Sequence, residues 1–164
     1  DHTSVFIRPI RPTDEPQMRE LFYSFSKETV FYRFFSYLNA MPHDKLSKFV
    51  NVDYEDEMAL VAATKKGGEE HLIGSARYYL DKATGLAEFA IAVDDDHQNV
   101  GIGTLLFQHL IKVARAKGIK GFVGYVLDSN TRAYRLMTRT GYPIETKWED
   151  GVYTLTMRFE DERN

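Results

Sequence analysis

One stretch near the middle of the chain limits the possible folds more than any other. Residues Ala87–Val93 are apolar except for Glu88, which predicts a buried strand. The polar segment Asp94–Asn99 follows, and then Gly101 and Gly103. Apolar residues next recur at the spacing of one helix face: Leu105, Leu106, Leu110, Ile111 and Ala114. The chain should therefore pass from a strand, through a tight glycine turn, into a long amphipathic helix.

This arrangement predicts an anion site at the start of the helix. The first N–H groups of a helix have no internal acceptor, and the helix dipole is positive there, so phosphate groups bind well. Glycine allows a ligand to approach the backbone closely. A Walker loop would need lysine where Thr104 stands, and the dinucleotide fingerprint would need a third glycine where Leu106 stands. The turn therefore belongs to another class of phosphate site.

Composition narrows the classes of protein further. The 164 residues, 43% hydrophobic, predict a single domain with a real core. With 21 basic and 24 acidic residues, the net charge of −3 gives no electrostatic basis for nucleic-acid binding. The chain has no cysteine and its five histidines show no ligand spacing, so we predict no metal site. No apolar run approaches the roughly 20 residues that span a bilayer, so we predict a cytoplasmic protein without a membrane partner.

The remaining elements surround this central unit. The first part of the chain predicts one strand and three helices: Ser4–Pro9, a helix from Thr13 or Asp14 to Phe25, Lys27–Leu38 and His43–Val50. Five aromatic residues in the third of these segments indicate either core packing or a wall beside a substrate. The rest predicts strands around two helices: Met58–Ala63, Leu72–Leu80, Leu86–Val93, the central helix, Gly121–Leu127, a helix in Asn130–Thr140, Tyr142–Trp148 and Val152–Phe159.

Two motifs in this framework resemble those of one superfamily. The pattern Gln98-x-x-Gly101-x-Gly103 is similar to the Q/R-x-x-G-x-G/A signature of the GNAT N-acetyltransferases. The N-x-x-A segment at 130–133, with Gly-Tyr at 141–142, resembles a second motif of the same superfamily. The resemblance covers essentially the whole chain. It implies an α/β (α+β) fold with a central mixed, mostly antiparallel sheet of six to seven strands, flanked by about four helices.

A narrower resemblance concerns the opening IRPIRPTDEPQMRELFYSFSKETVFYRFF and the run AEFAIAVDDDHQNVGIG. Both look like the acetyltransferase domain of bacterial Pat-type protein lysine acetyltransferases. In that family the domain is often fused to acyl-CoA synthetase-like or CoA-transferase-like modules. We therefore expect residues 1–164 to form one acetyltransferase domain, and the start at Asp1 would fit a domain cut from a longer protein.

The resemblance implies that acetyl-CoA is the cofactor and assigns residues to it. The backbone of Ile91, Ala92 and Val93 should pair with the pantetheine arm like an extra strand. The following residues should supply amides to the pyrophosphate: Val100, Gly101, Ile102, Gly103 and Thr104. Gln98 and Asn99 lie at the start of this turn. Asn130 should hydrogen-bond the pantetheine region, although a helix N-cap explains it equally well.

The chemistry of acyl transfer needs a base, because a free lysine amine has a pKa near roughly 10.4 and must lose a proton. We predict that Glu88 is this base, since it is the only charged residue in its strand and resembles the catalytic glutamate of lysine acetyltransferases. We expect it to be semi-buried. The alternatives are a solvated glutamate or an ion pair with Arg77. Where many members carry a tyrosine acid, this chain has Met137, and neither Tyr125 nor Tyr134 matches the motif.

Three functions fit these features. The leading one is transfer of an acetyl group from acetyl-CoA to a protein lysine, for example of an acyl-CoA synthetase. The second is acetylation of a small-molecule amine, which a narrow acidic pocket would favour. The third is a regulatory domain that senses acyl-CoA without turnover, which the missing tyrosine leaves open.

Overall fold

The structure is a computed structural model that describes residues 4–34, 40–98 and 100–159. Seven strands lie in these ranges: β1 Val5–Pro9, β2 Glu57–Lys66, β3 Glu69–Asp81, β4 Leu86–Val93, β5 Gly121–Leu127, β6 Ile144–Glu149 and β7 Val152–Arg158. The same ranges contain five α-helices: α1 Glu15–Ser24, α2 Lys27–Phe34, α3 His43–Val50, α4 Ile102–Ala116 and α5 Thr131–Thr138. The last part of the predicted helix Lys27–Leu38 and the predicted site residue Asn99 lie outside the described residues.

The strands form one seven-stranded sheet in the order β1-β2-β3-β4-β5-β7-β6. Its neighbours are antiparallel except for β4 and β5, which run parallel because α4 crosses between them. The mixed, mostly antiparallel sheet confirms the predicted fold class.

The first hairpin is longer than the sequence predicts. The turn is reduced to Gly67 and Gly68, both with positive φ, which is the backbone of a two-residue hairpin. The flanking residues therefore join the ladder, where Lys65 pairs with Glu70. Opposite charges placed directly across two strands attract each other, so these residues extend β2 and β3.

Each face of the sheet packs against its own set of helices. On one face, α4 contributes Phe107, which stacks with Phe89 of β4 at 4.8 Å between ring centroids and with Phe122 of β5 at 5.8 Å. On the other face, α1, α2 and α3 cover β1–β4 with a separate cluster that includes Leu21 and Leu46. Both faces of β4 are therefore covered by helices, and its residues are buried or half-buried except for Glu88, which is exposed.

An ionic network fastens β1 to the start of α1. The Arg8 guanidinium donates to both carboxylate oxygens of Asp14, at 2.7 and 2.8 Å, and to Glu70 on β3 at 2.6 Å. The carboxylate of Asp14 is only 1% exposed and also accepts the backbone N–H of Arg11 at 2.8 Å. The network is thus largely removed from water. Removing one partner would therefore leave an uncompensated charge in a buried site.

Candidate active site

The two parallel strands separate after a short shared segment. Only three register pairs join β4 to β5 in the described structure, and the last is Glu88 with Val123. Beyond this point the Phe89 ring lies against β5, and a Cβ on Gly124 would stand 2.5 Å from it. Glycine at position 124 therefore leaves room for the ring where the strands part.

A cavity of about 800 Å³ opens where the strands diverge. Its wall comes from β4, β5, the start of α4 and α5, and it includes these predicted residues: Ile91, Val93, Gln98, Gly101, Gly103, Thr104 and Asn130. Among the described residues, the other predicted ones lie outside this wall: Glu88, Ala92, Val100 and Ile102. The structure thus brings most of the predicted cofactor residues around one cleft.

The glycine turn has the backbone of an anion site. Gly101 caps α4 with φ of 90°, in the left-handed region that favours glycine. The first helical bond runs from the N–H of Leu105 to the carbonyl of Gly101 at 3.0 Å, so the earlier amides of the turn have no partner inside the helix. A Cβ on Gly101 would meet nothing within 4 Å. The turn therefore faces open space, into which a phosphate fits.

Gln98 fixes the shape of the turn. Its side-chain nitrogen donates to the Val93 carbonyl at 2.9 Å and to the Thr29 hydroxyl of α2 at 3.2 Å. Its side-chain oxygen accepts from Arg132 of α5. The amide is thus engaged by three different elements. Gln98 lies at the start of the turn as predicted, and its side chain connects β4, α2 and α5 around the cleft.

Asp95 makes a second link between the turn and α2. Its carboxylate accepts the backbone N–H of Ser26 at 2.9 Å and the Thr29 hydroxyl at 3.1 Å. Burial raises the pKa of Asp95, but these hydrogen bonds outweigh burial and lower it below its usual range. The charged carboxylate therefore stabilises the contact between the turn and α2.

The far side of the cleft is closed by contacts between α2 and the start of α5. The side-chain oxygen of Asn130 accepts the N–H of Ala133 at 3.2 Å, which makes Asn130 the N-cap of α5. The Tyr32 hydroxyl reaches from α2 to the Ser129 carbonyl at 3.3 Å. Asn130 thus caps a helix and also borders the cavity, so both roles predicted for it are compatible with its position.

Glu88 lies at the point where the strands part, but its surroundings differ from those expected. Its side chain is exposed, so the expected semi-burial is wrong and the exposure agrees with the alternative of a solvated glutamate. The proposed ion pair with Arg77 is also wrong, because that guanidinium turns away and donates to the Phe49 carbonyl at 3.2 Å. Glu88 stands opposite Tyr79 in register and shares a face with Ala90, which lines the cavity. The carboxylate is therefore at the rim of the cleft, reachable from solvent.

The residues considered as proton donors to the leaving group differ in their burial and in their access to the cavity. Met137, which replaces the family tyrosine, is fully buried and offers no proton. Tyr134 packs against Tyr153 at 5.2 Å between ring centroids. Tyr125 is 48% exposed and borders the cavity. Of the two tyrosines considered from the sequence, only Tyr125 therefore borders the cleft.

Sequence reasoning missed a basic wall on α5. The side chains of Arg132, Arg135 and Arg139 all line the cavity. Each of them looks like an ordinary solvated residue in the sequence. Their spacing of three and four residues places them on one helix face, and this was the available signal. The cleft therefore has positive charge at the end next to α5.

A sheet that parts between two parallel strands, beside a glycine-capped helix and a basic wall, defines an acyl-CoA-dependent transferase. The model of the acetyltransferase (GNAT) family matches residues 17–142, and the chain belongs to that family. Family membership makes acetyl-CoA the acetyl donor, as the sequence predicts.

Individual relatives agree with this assignment. An acetyltransferase of Pseudomonas aeruginosa is 33% identical over 129 residues, which cover 79% of this chain and 68% of that protein. The acetyltransferase Pat of Mycolicibacterium smegmatis is 33% identical over 138 residues, 83% of this chain, but the chain spans only 40% of its length. The predicted Pat-type resemblance is therefore confirmed.

Solved structures agree as well. The GNAT domain of S. lividans PAT superposes with a TM-score of 0.83 at 28% identity, covering 95% of this chain and 96% of that domain. An acetyltransferase of Salmonella typhimurium, solved with its cofactor acetyl-CoA, gives a TM-score of 0.72 at 19% identity, covering 96% and 95% of the two chains. The second likeness concerns the fold alone.

The described residues contain neither a cluster of metal-binding side chains nor a helix that could span a membrane. No group of three or more His, Cys, Asp or Glu side chains in this part of the chain could hold a metal ion. Within the same ranges, no helix is long and apolar enough to cross a membrane.

The glycine turn gives a first testable prediction. If the pyrophosphate binds at this turn as predicted, Gly101→Ala should weaken acetyl-CoA binding by about tenfold, because the new Cβ would obstruct its approach to the backbone. Gly118→Ala is the matched control, since Gly118 also has positive φ and open space but lies at the other end of α4. Isothermal titration should show weaker binding for Gly101→Ala alone, while both variants lose similar thermal stability. Equal affinity in the two variants would contradict the assignment.

Proposed function

We propose that this protein transfers the acetyl group of acetyl-CoA to a lysine side chain of another protein, with Glu88 as the base. An acyl-CoA synthetase is the proposed acceptor. The observation that carries the proposal is the separation of β4 from β5. The strands part after the pair formed by Glu88 and Val123, and the cavity opens beyond this pair. We also propose that residues 1–164 act as one cytoplasmic acetyltransferase domain. Fusion to an acyl-CoA synthetase-like or CoA-transferase-like module stays a prediction.

The donor fits the cleft in three parts. Among the described residues, no strand pairs with the edge of β4 from Ile91 to Val93 on the β5 side, so this edge can pair with the amides of the pantetheine arm. The pyrophosphate then lies on the free N–H groups at the start of α4. The basic wall of α5, formed by Arg132, Arg135 and Arg139, is suited to the phosphates that remain.

The reaction needs a neutral amine next to the thioester. Glu88 accepts a proton from the lysine ammonium, and the nitrogen lone pair then attacks the thioester carbonyl carbon. The bond from this carbon to sulfur breaks, and CoA leaves as the thiolate, since Met137 stands in place of the tyrosine acid and cannot protonate the sulfur; solvent then supplies the proton. The nitrogen loses its second proton to solvent, and the product is the acetylated lysine.

The position of Glu88 favours a large acceptor. A base at the bottom of a narrow pocket would select a small amine, but this carboxylate is exposed at the rim. Tyr79 and Tyr125, which project from the same face, are 40% and 48% exposed. A lysine on a folded protein can therefore reach the rim, and exposed aromatic side chains are typical of surfaces that contact proteins.

An acceptor panel tests this proposal. The protein is incubated with acetyl-CoA and either an acyl-CoA synthetase, the same synthetase with its active-site lysine changed to arginine, or free amines such as spermidine. We expect thiol release and a single acetylated lysine, detected by mass spectrometry, with kcat/KM at least about a hundredfold above that for free amines. Turnover on free amines alone would favour a small-molecule enzyme. Tight acetyl-CoA binding without turnover on any acceptor would favour the sensing domain.

A further inference from the structure

A second, smaller cavity lies on the opposite side of β4, beneath α1, α2 and α3. Its volume is about 30 Å³, which is more than the roughly 10–15 Å³ that a cavity needs to hold one water molecule. Its wall is mostly aromatic and aliphatic, with Phe22, Phe34 and Phe49 among its members. The charged groups in the described wall are Arg33 and Arg77.

Arg77 is a buried cation without an acidic partner. Arg77 is only 3% exposed to solvent. Its guanidinium lies 4.7 Å from the centre of the Phe49 ring and donates one hydrogen bond, to the Phe49 carbonyl. In the described part of the chain, no carboxylate forms an ion pair with it. Buried charges are normally paired, so this cavity contains positive charge that the described residues do not neutralise by an ion pair.

Arg33 adds a second cation and connects the two cavities. It comes from α2, stacks on Phe34 at 4.7 Å, and lines both the small cavity and the large one. No described carboxylate is within ion-pairing distance of it. Burial and then the positive charge of Arg77 lower the pKa of Arg33 to about 10, so it is still cationic at neutral pH. Two like charges share one apolar space and attract an anion.

The position of the pair relates this anion to the acyl group. Arg77 stands opposite Ala90 in register, and Ala90 lines the large cavity. If the pantetheine arm runs along Ile91–Val93, as proposed above, the thioester lies beside Ala90. An acyl chain longer than acetyl can then extend from the thioester toward Arg33. A terminal carboxylate on that chain would meet Arg33, which lines both cavities and shares the small one with Arg77.

We propose that Arg33 and Arg77 form a subsite for the terminal carboxylate of a short dicarboxylic acyl group, such as malonyl or succinyl, carried by CoA. This inference rests on the proposed function, because it places the donor in the same cleft. The amine nitrogen attacks the thioester carbonyl, the carbon–sulfur bond breaks, and CoA leaves as the thiolate. The acyl group ends as an amide with its carboxylate unchanged, and the nitrogen releases its protons to Glu88 and solvent.

Glu88 is the acidic residue that competes for these cations. It shares the face of Ala90, and its negative charge slightly favours the charged form of Arg33. It is nevertheless exposed and forms no ion pair with either arginine. The carboxylate of a bound acyl chain would therefore be the first close anionic partner for the two arginines.

A comparison of succinyl-CoA with butyryl-CoA tests the proposal, because the two acyl chains have equal length and differ in the terminal carboxylate. We expect the wild-type protein to prefer succinyl-CoA in kcat/KM by about tenfold or more on one acceptor. Arg33→Gln should lower this ratio by roughly tenfold to a hundredfold. The matched control is Arg19→Gln, an arginine of α1 paired with Glu15, which should leave the ratio unchanged.

Binding measurements keep the test decisive. Arg77→Lys retains the charge of a buried residue, and titration with succinyl-CoA and butyryl-CoA should show a smaller loss of preference for it than for Arg33→Gln. Equal affinity of the wild-type protein for both donors, with normal acetyl transfer, would overturn the subsite and leave the proposed function intact. Failure to bind any acyl-CoA would instead overturn both. If Arg33 instead produced a preference for acceptors that carry a carboxylate, the two arginines would bind the acceptor rather than the acyl donor, and the proposal would be overturned.

Discussion

Glu88→Gln should lower kcat for acetyl transfer to a protein lysine by about two to four orders of magnitude, the usual contribution of a general base. The amide keeps the size of the carboxylate but cannot accept the proton of the ammonium group. The loss should shrink as the pH rises from about 7.5 to about 9.5, because more of the lysine amine is then neutral in solution. Steady-state kinetics with thiol detection at several pH values measure both effects.

Glu145→Gln is the matched control for this variant. Glu145 is an exposed glutamate on strand β6. It is in register with Glu88 across the sheet, through Thr156 of β7 and Val123 of β5, but β6 lies two strands beyond β5 and away from the cleft. It should retain full activity. If both variants lost activity equally, or if Glu88→Gln remained fully active, another group would have to be the base. Unchanged acetyl-CoA affinity in Glu88→Gln would separate lost chemistry from lost binding.

Asp14→Asn should reduce the free energy of unfolding by about 3 kcal/mol at neutral pH. The variant removes the carboxylate that binds the Arg8 guanidinium through both of its oxygens, and only Glu70 remains as an anionic partner in this largely buried site. Chemical denaturation at pH 7 measures the loss. Asp44→Asn, which changes an exposed carboxylate in the first turn of α3, is the control and should change stability much less.

The same network makes stability depend on acid. Burial raises the pKa of Asp14, but hydrogen bonds from Arg8 and Arg11 lower it below its ordinary value of 3.8 in the folded protein. The hydrogen bond from Arg8 likewise lowers the pKa of Glu70. The folded state therefore binds these protons less tightly than the unfolded state, and the stabilisation is present above pH 3.8 and lost as the pH falls further. The difference between wild type and Asp14→Asn should shrink in that acidic range; a constant difference would contradict this account.

The elements that the sequence predicted best are those whose local pattern agrees with their burial. Strands β4 and β5 begin and end where predicted, because each is an apolar run bounded by turn residues. Strand β6 begins at Ile144 rather than at Tyr142, because Pro143 cannot donate to the ladder. The glycine turn was also predictable, since its spacing reports a backbone requirement that few other residues satisfy.

The parts of the site that were not predictable depend on contacts between distant segments. The sequence gives no sign that Gln98 joins α2 to α5, because its partners Thr29 and Arg132 come from elements far apart in the chain. The same holds for Arg77, for which an ion pair with Glu88 on the next strand was one alternative. Its actual partner, Phe49, is on a helix that packs across the sheet, and only the packing of α3 reveals it.

The short junction between β4 and β5, here called the spine, divides the sheet into two leaves. Side chains also connect the leaves, through Gln98 with Arg132 and Tyr32 with Ser129. The first leaf contains β1–β4 with α1–α3 and both arginines of the small cavity, whereas the second contains β5–β7 with α5 and its basic wall. Only three residue pairs cross this spine within the described sheet. Glu88 and the proposed acyl subsite lie in the first leaf, whereas the basic wall proposed for the phosphates lies in the second. We therefore expect substitutions in the first leaf to change acyl and acceptor selectivity more than cofactor affinity.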